Sequence, residues 1–180
     1  VPGVIVRTAD RPELVPVVAR WLWEEFSRQS GRPLKHVQER LAASTAACGP
    51  PQTFVLLVDG EPVGTASLVA HDLDTRPDLT PWLAGVFVVP EARGRGHAAR
   101  LIETVEAAGR AAAIPSLWLY THAAERIYAR AGWHTVEHFE RCGRVCALMR
   151  REIDGSSAVE PSGPNRGSIP SRRPSSAPRP

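Results

Sequence analysis

The sequence predicts an α/β (α+β) fold in which strands and helices share one core. Short β-branched and aromatic runs alternate with stretches whose apolar residues recur at helical spacing, in the order β-α-α-β-β-β-α-β-α-β-β. Asp59-Gly60 lies between two apolar runs, the pattern of a tight hairpin. A third apolar run, Val86 to Val89, passes through Pro90 into a loop with two glycines and two arginines, and that loop opens a helix.

Taken in order, Gly3 to Thr8 reads as the first strand. Asp10 stands as an N-cap with Glu13 three residues on, the spacing of a capping box. The helix that follows is expected to reach about Arg28, with Leu14, Val15, Val18, Leu22 and Phe26 at helical spacing. Pro12 and Pro16 fall in or near its first turn, where a missing N–H costs least. Its end, Trp21-Leu-Trp-Glu-Glu-Phe26, reads either as an amphipathic face packed on the sheet or as a substrate wall with Glu24 or Glu25 facing an amine. Gly31 to Pro33 breaks the chain, and a second helix is expected from Leu34 to Ala47, stopped by Gly49-Pro50-Pro51.

Phe54 to Val58 and Pro62 to His71 are the two strands of the hairpin. A polar loop with Asp72, Asp74 and Asp78 follows, either solvated or forming a rim that attracts a cation. Trp82 to Val89 is the strand that feeds the glycine loop, and the next helix runs from about His97 to Ala113. Ser116 to Tyr120 is a strand, and Ala123 to Ala131 a short helix with Gly132 as its C′ residue. Trp133 to Phe139 and Arg144 to Glu152 read as the last two strands.

Composition narrows the function classes. The chain has 180 residues, 43% of them hydrophobic, and no apolar run approaches a membrane span. Val4-Ile-Val6 is too short for a secretory core, so a cytoplasmic location is expected. The net charge is +3, but Arg166, Arg172, Arg173 and Arg179 against Asp154 and Glu160 leave about +1 for the rest, which gives no case for nucleic acid. Residues 1–153 read as one domain, and 154–180, dominated by Gly, Ser and Pro, as a disordered tail. Cys48, Cys142 and Cys146 do not form a metal pattern and read as buried small hydrophobes, with Cys142 and Cys146 on one strand face.

The glycine loop carries the chemistry. A strand entering a glycine-rich turn at a helix N-terminus is an anion site, because first-turn N–H groups have no intrahelical acceptors and the helix dipole adds positive charge. Gly94 and Gly96 let the backbone approach a phosphate, and Arg93 and Arg95 add charge-assisted donors. The run Gly94-x-Gly96-x-x-Ala99 also fits a dinucleotide fingerprint. That reading is disfavoured, because Pro90 to Arg93 separates strand from glycines and the next strand ends at Thr121 without the acid that would hold a ribose.

Arg93-Gly-Arg-Gly-His-Ala98 resembles the Q/R-x-x-G-x-G/A loop of the GCN5-related N-acetyltransferase (GNAT) family, and Val86, Val88 and Pro90 resemble the strand before it. Downstream, Ile127-Tyr128-Ala-Arg-Ala-Gly132-Trp133 resembles the family's LYxKxGF segment. The resemblance in element order covers Val4 to Glu152. It implies a GNAT-type mixed, mostly antiparallel central sheet flanked by helices, and an enzyme that moves an acetyl group from acetyl-CoA to a primary amine by direct attack on the thioester.

By that resemblance, Arg93, Gly94, Arg95, Gly96, His97, Ala98 and Ala99 would grip the coenzyme pyrophosphate. Val86, Phe87 and Val88 would pair with the pantetheine arm as with an added strand. Tyr128 would protonate the leaving thiolate, as a phenol of ordinary pKa near ~10 can at neutral pH. Many members carry Asn where this chain has Thr121, and Thr121-His122 would take over its contact. The base is one of Glu24, Glu25, Asp72 and Asp74, with Glu24 and Glu25 taken as the catalytic pair, and no metal is needed. The acidic loop favours a small cationic amine as acceptor, with a peptide N-terminus or a lysine as alternative, and a non-catalytic coenzyme-binding module as the reading from another class. The chain is expected to be a monomer or homodimer.

Overall fold

A computed structural model of the chain describes residues 3–154. The elements are β1 (Val4–Arg7), α1 (Val15–Leu22), α2 (Leu34–Ala42), β2 (Gln52–Val58), β3 (Glu61–Val69), β4 (Trp82–Val88), α3 (His97–Ala111), β5 (Ser116–Thr121), α4 (Glu125–Arg130), β6 (His134–Arg141) and β7 (Arg144–Glu152). This is the expected order. The strands form one seven-stranded sheet in the order β1-β2-β3-β4-β5-β7-β6. Neighbours are antiparallel except β4 and β5, which run parallel. The expected tail lies, from residue 155 on, outside the described residues.

The alternation of side chains along a strand decides where the core sits. In β2, Phe54 and Leu56 join Leu101, Ile102 and Val105 of α3 on one face of the sheet. Val55 and Leu57 join Val18 and Ala19 of α1 and Val37 and Leu41 of α2 on the other. Both faces are covered, so β2 is apolar without interruption from Phe54 to Val58 rather than alternating. Each such side chain, fully buried, contributes roughly 1.5–3 kcal/mol. At the hairpin, Asp59 and Gly60 both take positive φ, 52° and 85°, the geometry of a two-residue turn matched to strand twist.

Some local expectations are corrected. No capping box forms at Asp10, because its carboxylate is held by Arg7 through bonds of 2.9 and 3.0 Å while Glu13 accepts from Arg11. The chain instead enters α1 through a 3-10 turn, Pro12–Leu14, with no side-chain cap. After Leu22 the helix widens into a π turn over Trp23–Ser27. Helix α2 ends at Ala42, not Ala47, because the following residues are taken up by the sheet: Thr45 bridges Gln52, and the hydroxyls of Ser44 and Thr53 lie 3.0 Å apart. Of the cysteines, only Cys146 is buried; Cys48 is exposed, and Cys142 sits exposed at positive φ in the β6–β7 turn, off the strand.

One buried charge ties three elements together. Glu106 of α3 is 2% exposed. It accepts from the Trp133 indole at 3.2 Å and faces the Arg151 guanidinium of β7 at 3.1 Å. Arg151 also donates to the carbonyl of Ala131, at the end of α4. A buried carboxylate is tolerated only when its acceptor sites are filled. Arg151→Met, which leaves Glu106 with the Trp133 indole and the more distant Arg110, at 4.0 Å, is therefore expected to cost on the order of 3 kcal/mol in a denaturant melt. Glu106→Gln keeps an acceptor for the indole and is expected to cost less; equal losses would contradict this reading of the pair.

Candidate active site

β4 and β5 share one register pair, Trp82 with Trp118, and then part. A cavity of about 600 Å³ lies where they separate, lined by Leu83 to Val86 on one side and Leu119 to Thr121 on the other. The end of α1, the π turn, α2 and α4 complete its wall through Leu22, Glu25, Leu41 and Tyr128. Three buried hydroxyls cross its floor in a row, Ser44 to Thr53 at 3.0 Å and Thr53 to Ser67 at 2.9 Å.

A bulge bends β4 beside this cavity. Between the pairs Thr65–Phe87 and Ser67–Ala84, the two residues Gly85 and Val86 face Ala66 alone. Gly85 has φ 60°, and a Cβ there would come within 3.2 Å of Leu22. The backbone conformation therefore favours glycine, and a side chain there would also push the Leu22 side chain back by a few tenths of an ångström. Sequence reasoning took Val86 to Val88 as the pairing edge and passed over Gly85; the available signal was a lone glycine inside an apolar strand.

The far end of β4 fixes the glycine loop. Arg93 donates its Nε to the Val88 carbonyl at 2.9 Å and lies 5.9 Å from the centre of the Phe87 ring. That ring in turn packs on Trp21 of α1 at 5.5 Å. Gly94 and Gly96 take φ of 74° and 77°. No atom lies within 4 Å of an added Cβ at either, so backbone conformation alone demands glycine there. Gly96 is the N-cap of α3, so the N–H groups of His97, Ala98 and Ala99 lack intrahelical acceptors. Arg95 is exposed, and the half-buried His97 keeps an Nδ1 with no partner among the described residues. Left-handed glycines, amides without intrahelical acceptors and an Arg95 with no ion pair among the described residues suit a phosphate-bearing ligand.

At the opposite end Tyr128 is placed by α4, with its ring edge-on to Trp133 at 6.1 Å. Burial pushes its phenol up to about 12. Thr121 accepts from the Ala124 amide at 3.0 Å and so turns the chain into α4. The ring of His122 accepts from Arg144 at 3.1 Å. The candidate acids separate. Glu24 is exposed and outside the cavity lining, whereas Glu25 is exposed but lines it. Asp74 is paired with Arg32 at 3.1 Å and lies outside the main cavity. Asp72 lines the cavity, half-buried by residue surface but with its carboxyl group deep among protein atoms. Burial pushes that carboxyl above the usual range against the pull of Arg40, Arg141 and Arg32. Beside it Tyr120 accepts from Arg141 at 2.6 Å, its own phenol raised to about 12 by burial and by the charge of Asp72. Among the described residues no group of three or more His, Cys, Asp or Glu could hold a metal ion. No helix among them is long and apolar enough to cross a membrane.

Residues 15–133 match the sequence profile of the Acetyltransferase (GNAT) family. No curated protein matches the chain significantly in sequence. Among solved structures, a GNAT-family protein of Desulfovibrio desulfuricans superposes with a TM-score of 0.67 at 21% identity, covering 84% of this chain and 99% of its own. The Salmonella typhimurium protein yncA, solved with its cofactor acetyl-CoA, has a TM-score of 0.64 at 14% identity over 90% of this chain and 100% of its own. The GNAT-family acetyltransferase of Streptococcus pneumoniae has a TM-score of 0.64 at 17% identity over 84% and 99%. These likenesses show the fold.

The raised carboxyl of Asp72 gives a prediction with a definite sign. Its neutral form is the one that burial favours, so the associated stability is complete below the ordinary carboxylate pKa and is lost as pH rises through the folded value. Carbon-detected NMR should place the Asp72 midpoint above the ordinary ~4. A midpoint at or below that value would show that the arginines outweigh burial.

Proposed function

The chain belongs to the acetyltransferase (GNAT) family, and from that membership we propose that it transfers an acetyl group from acetyl-CoA to a primary amine, within a catalytic domain of residues 1–153 that carries 154–180 as a passive tail. The observation that supports this most is a cavity between parted parallel strands, with Tyr128 in its wall and β4 leading, through the turn Pro90–Ala92, into a left-handed glycine loop at a helix N-terminus. The coenzyme supplies the activated acetyl group as a thioester.

The protein's part follows from its groups. The N–H groups of His97 to Ala99, with Arg95 beside them, take the pyrophosphate. Gly94 and Gly96 hold that loop open, and Arg93, committed to Val88 and Phe87, anchors it to β4. The edge of β4 that β5 leaves unpaired, Gly85 to Val88, offers backbone groups to the amide-bearing arm of the donor and to its carbonyl oxygen. An attacking amine must be neutral and must lose a proton as the amide forms. Asp72 is the acid we assign as base, because it lines the cavity and burial raises its carboxyl, which makes it a stronger proton acceptor than an exposed carboxylate. Glu25, exposed and lining the cavity, can hand protons outward, whereas Glu24 lies outside that lining. The departing thiolate needs a proton, and the phenol of Tyr128, raised to about 12, is a donor throughout the neutral range.

The test is thiol release from acetyl-CoA over a panel of primary amines, on the full chain and on Tyr128→Phe. The variant is expected to lose on the order of 10²-fold in kcat, with calorimetry showing coenzyme affinity unchanged. Unchanged turnover would remove Tyr128 from the reaction, and turnover with no amine by the full chain would sink the acetyl-transfer reading.

A further inference from the structure

The acid-bearing loop looks, in sequence, like an attractor for cations, but the fold spends most of its acids. Asp78 is held by Arg76, and Asp74 by Arg32. Asp72 is left, and the groups around it are largely basic. An adjoining hollow of about 580 Å³ is lined by Arg32, His36, Arg40 and His71 together with Asp72 and Asp74. Of the guanidinium groups near Asp72, Arg32 is paired with Asp74 and Arg141 is committed to the Tyr120 hydroxyl and ring. Arg40 makes no ion pair and no side-chain hydrogen bond among the described residues. Neither does the Asp72 carboxylate.

Arg40 and Asp72 both line the cavity and the hollow, so they stand where the two join. Arg40 is the strongest of the charges acting on the Asp72 carboxyl, yet the two are not within ion-pair distance. A cation and an anion held close but unpaired, at the entrance to a reaction cavity, complement a ligand that carries both signs. A purely cationic amine would satisfy Asp72 and meet the unpaired Arg40 as repulsion. A neutral-tailed amine would leave Arg40 unused.

Building on the acetyl-transfer reading, we propose that the acceptor is an amine bearing a carboxylate a few bonds away, of free amino-acid type, with its carboxylate on Arg40 and its amine directed to Asp72. The buried hydroxyl row Ser44, Thr53 and Ser67 lies on the same cavity and offers polar contacts to what the acceptor carries beyond those two groups.

The test uses matched pairs: each common L-amino acid against the primary amine left when its carboxylate is removed, such as L-phenylalanine with phenethylamine and L-leucine with isopentylamine. Each pair is measured by thiol release from acetyl-CoA and by calorimetry on protein saturated with coenzyme A. At least one amino acid should exceed its amine in kcat/KM by roughly tenfold or more, the value of one charge-assisted contact. In Arg40→Gln, a surface change on α2, that ratio should fall by about the same factor. Equal or better use of the bare amines, or a preference untouched in Arg40→Gln, would overturn the inference. Selective binding of an amino acid without thiol release would uphold it and contradict the acetyl-transfer reading, so the two can fail separately.

Discussion

β4 and β5 are parallel neighbours in an otherwise antiparallel sheet, and they hold each other at one register pair, Trp82 with Trp118. The fork is kept by bulk. Trp82 is fully buried, donates its indole N–H to the Leu79 carbonyl at 2.8 Å, and meets the edge of Tyr120 at 6.3 Å. Tyr120 in turn packs on Phe139 of β6 at 6.1 Å and is fastened by Arg141. Next to that aromatic stack the pairing stops, and the backbone of β4 beyond Trp82 has no register partner in β5. The bulge at Gly85 and the approach of Leu22 add to the departure. An open strand edge inside a domain is a cost in unmade hydrogen bonds, and here the opening is the cavity itself.

The rest of the molecule compensates for that opening. β5 is secured on its other side by six register pairs with β7, and α3 crosses the sheet against β2, β3 and β4. The Glu106–Trp133–Arg151 cluster closes the far side by fastening α3, the start of β6 and β7 to one another. Trp133 also donates its backbone N–H to Tyr128 at 3.1 Å and packs on the Tyr128 ring. Trp133 therefore links Glu106 to Tyr128, and a loosened Glu106 would be felt at the phenol.

Much of this was legible in the sequence, for local reasons. The hairpin at Asp59-Gly60, the helix start at Gly96 and the C′ role of Gly132 each follow from a backbone conformation that few residues adopt, and all three glycines have positive φ. The order of elements followed from periodicity, and the central sheet from the resemblance to the GNAT family. What was not legible depends on contacts distant in sequence. Asp10 and Glu13 have the spacing of a capping box, but Arg7 and Arg11 claim them first. Helix α2 loses its last turn to a bridge with Gln52. Glu24 and Glu25 are equivalent in sequence, and only the π turn decides which of them reaches the cavity. The pairing of the loop acids was hidden for the same reason, because Asp74 and Asp78 meet Arg32 and Arg76 only in the folded chain.

The central claim is that the parted strands are the donor's slot. A crystal structure of the chain with coenzyme A tests it most directly. The account predicts the pyrophosphate at the amides of Gly94 to Ala99, the pantetheine arm along Gly85 to Val88, and the sulfur within reach of the Tyr128 hydroxyl. Coenzyme bound elsewhere, or a fork closed by pairing of β4 with β5 beyond Trp82, would contradict it.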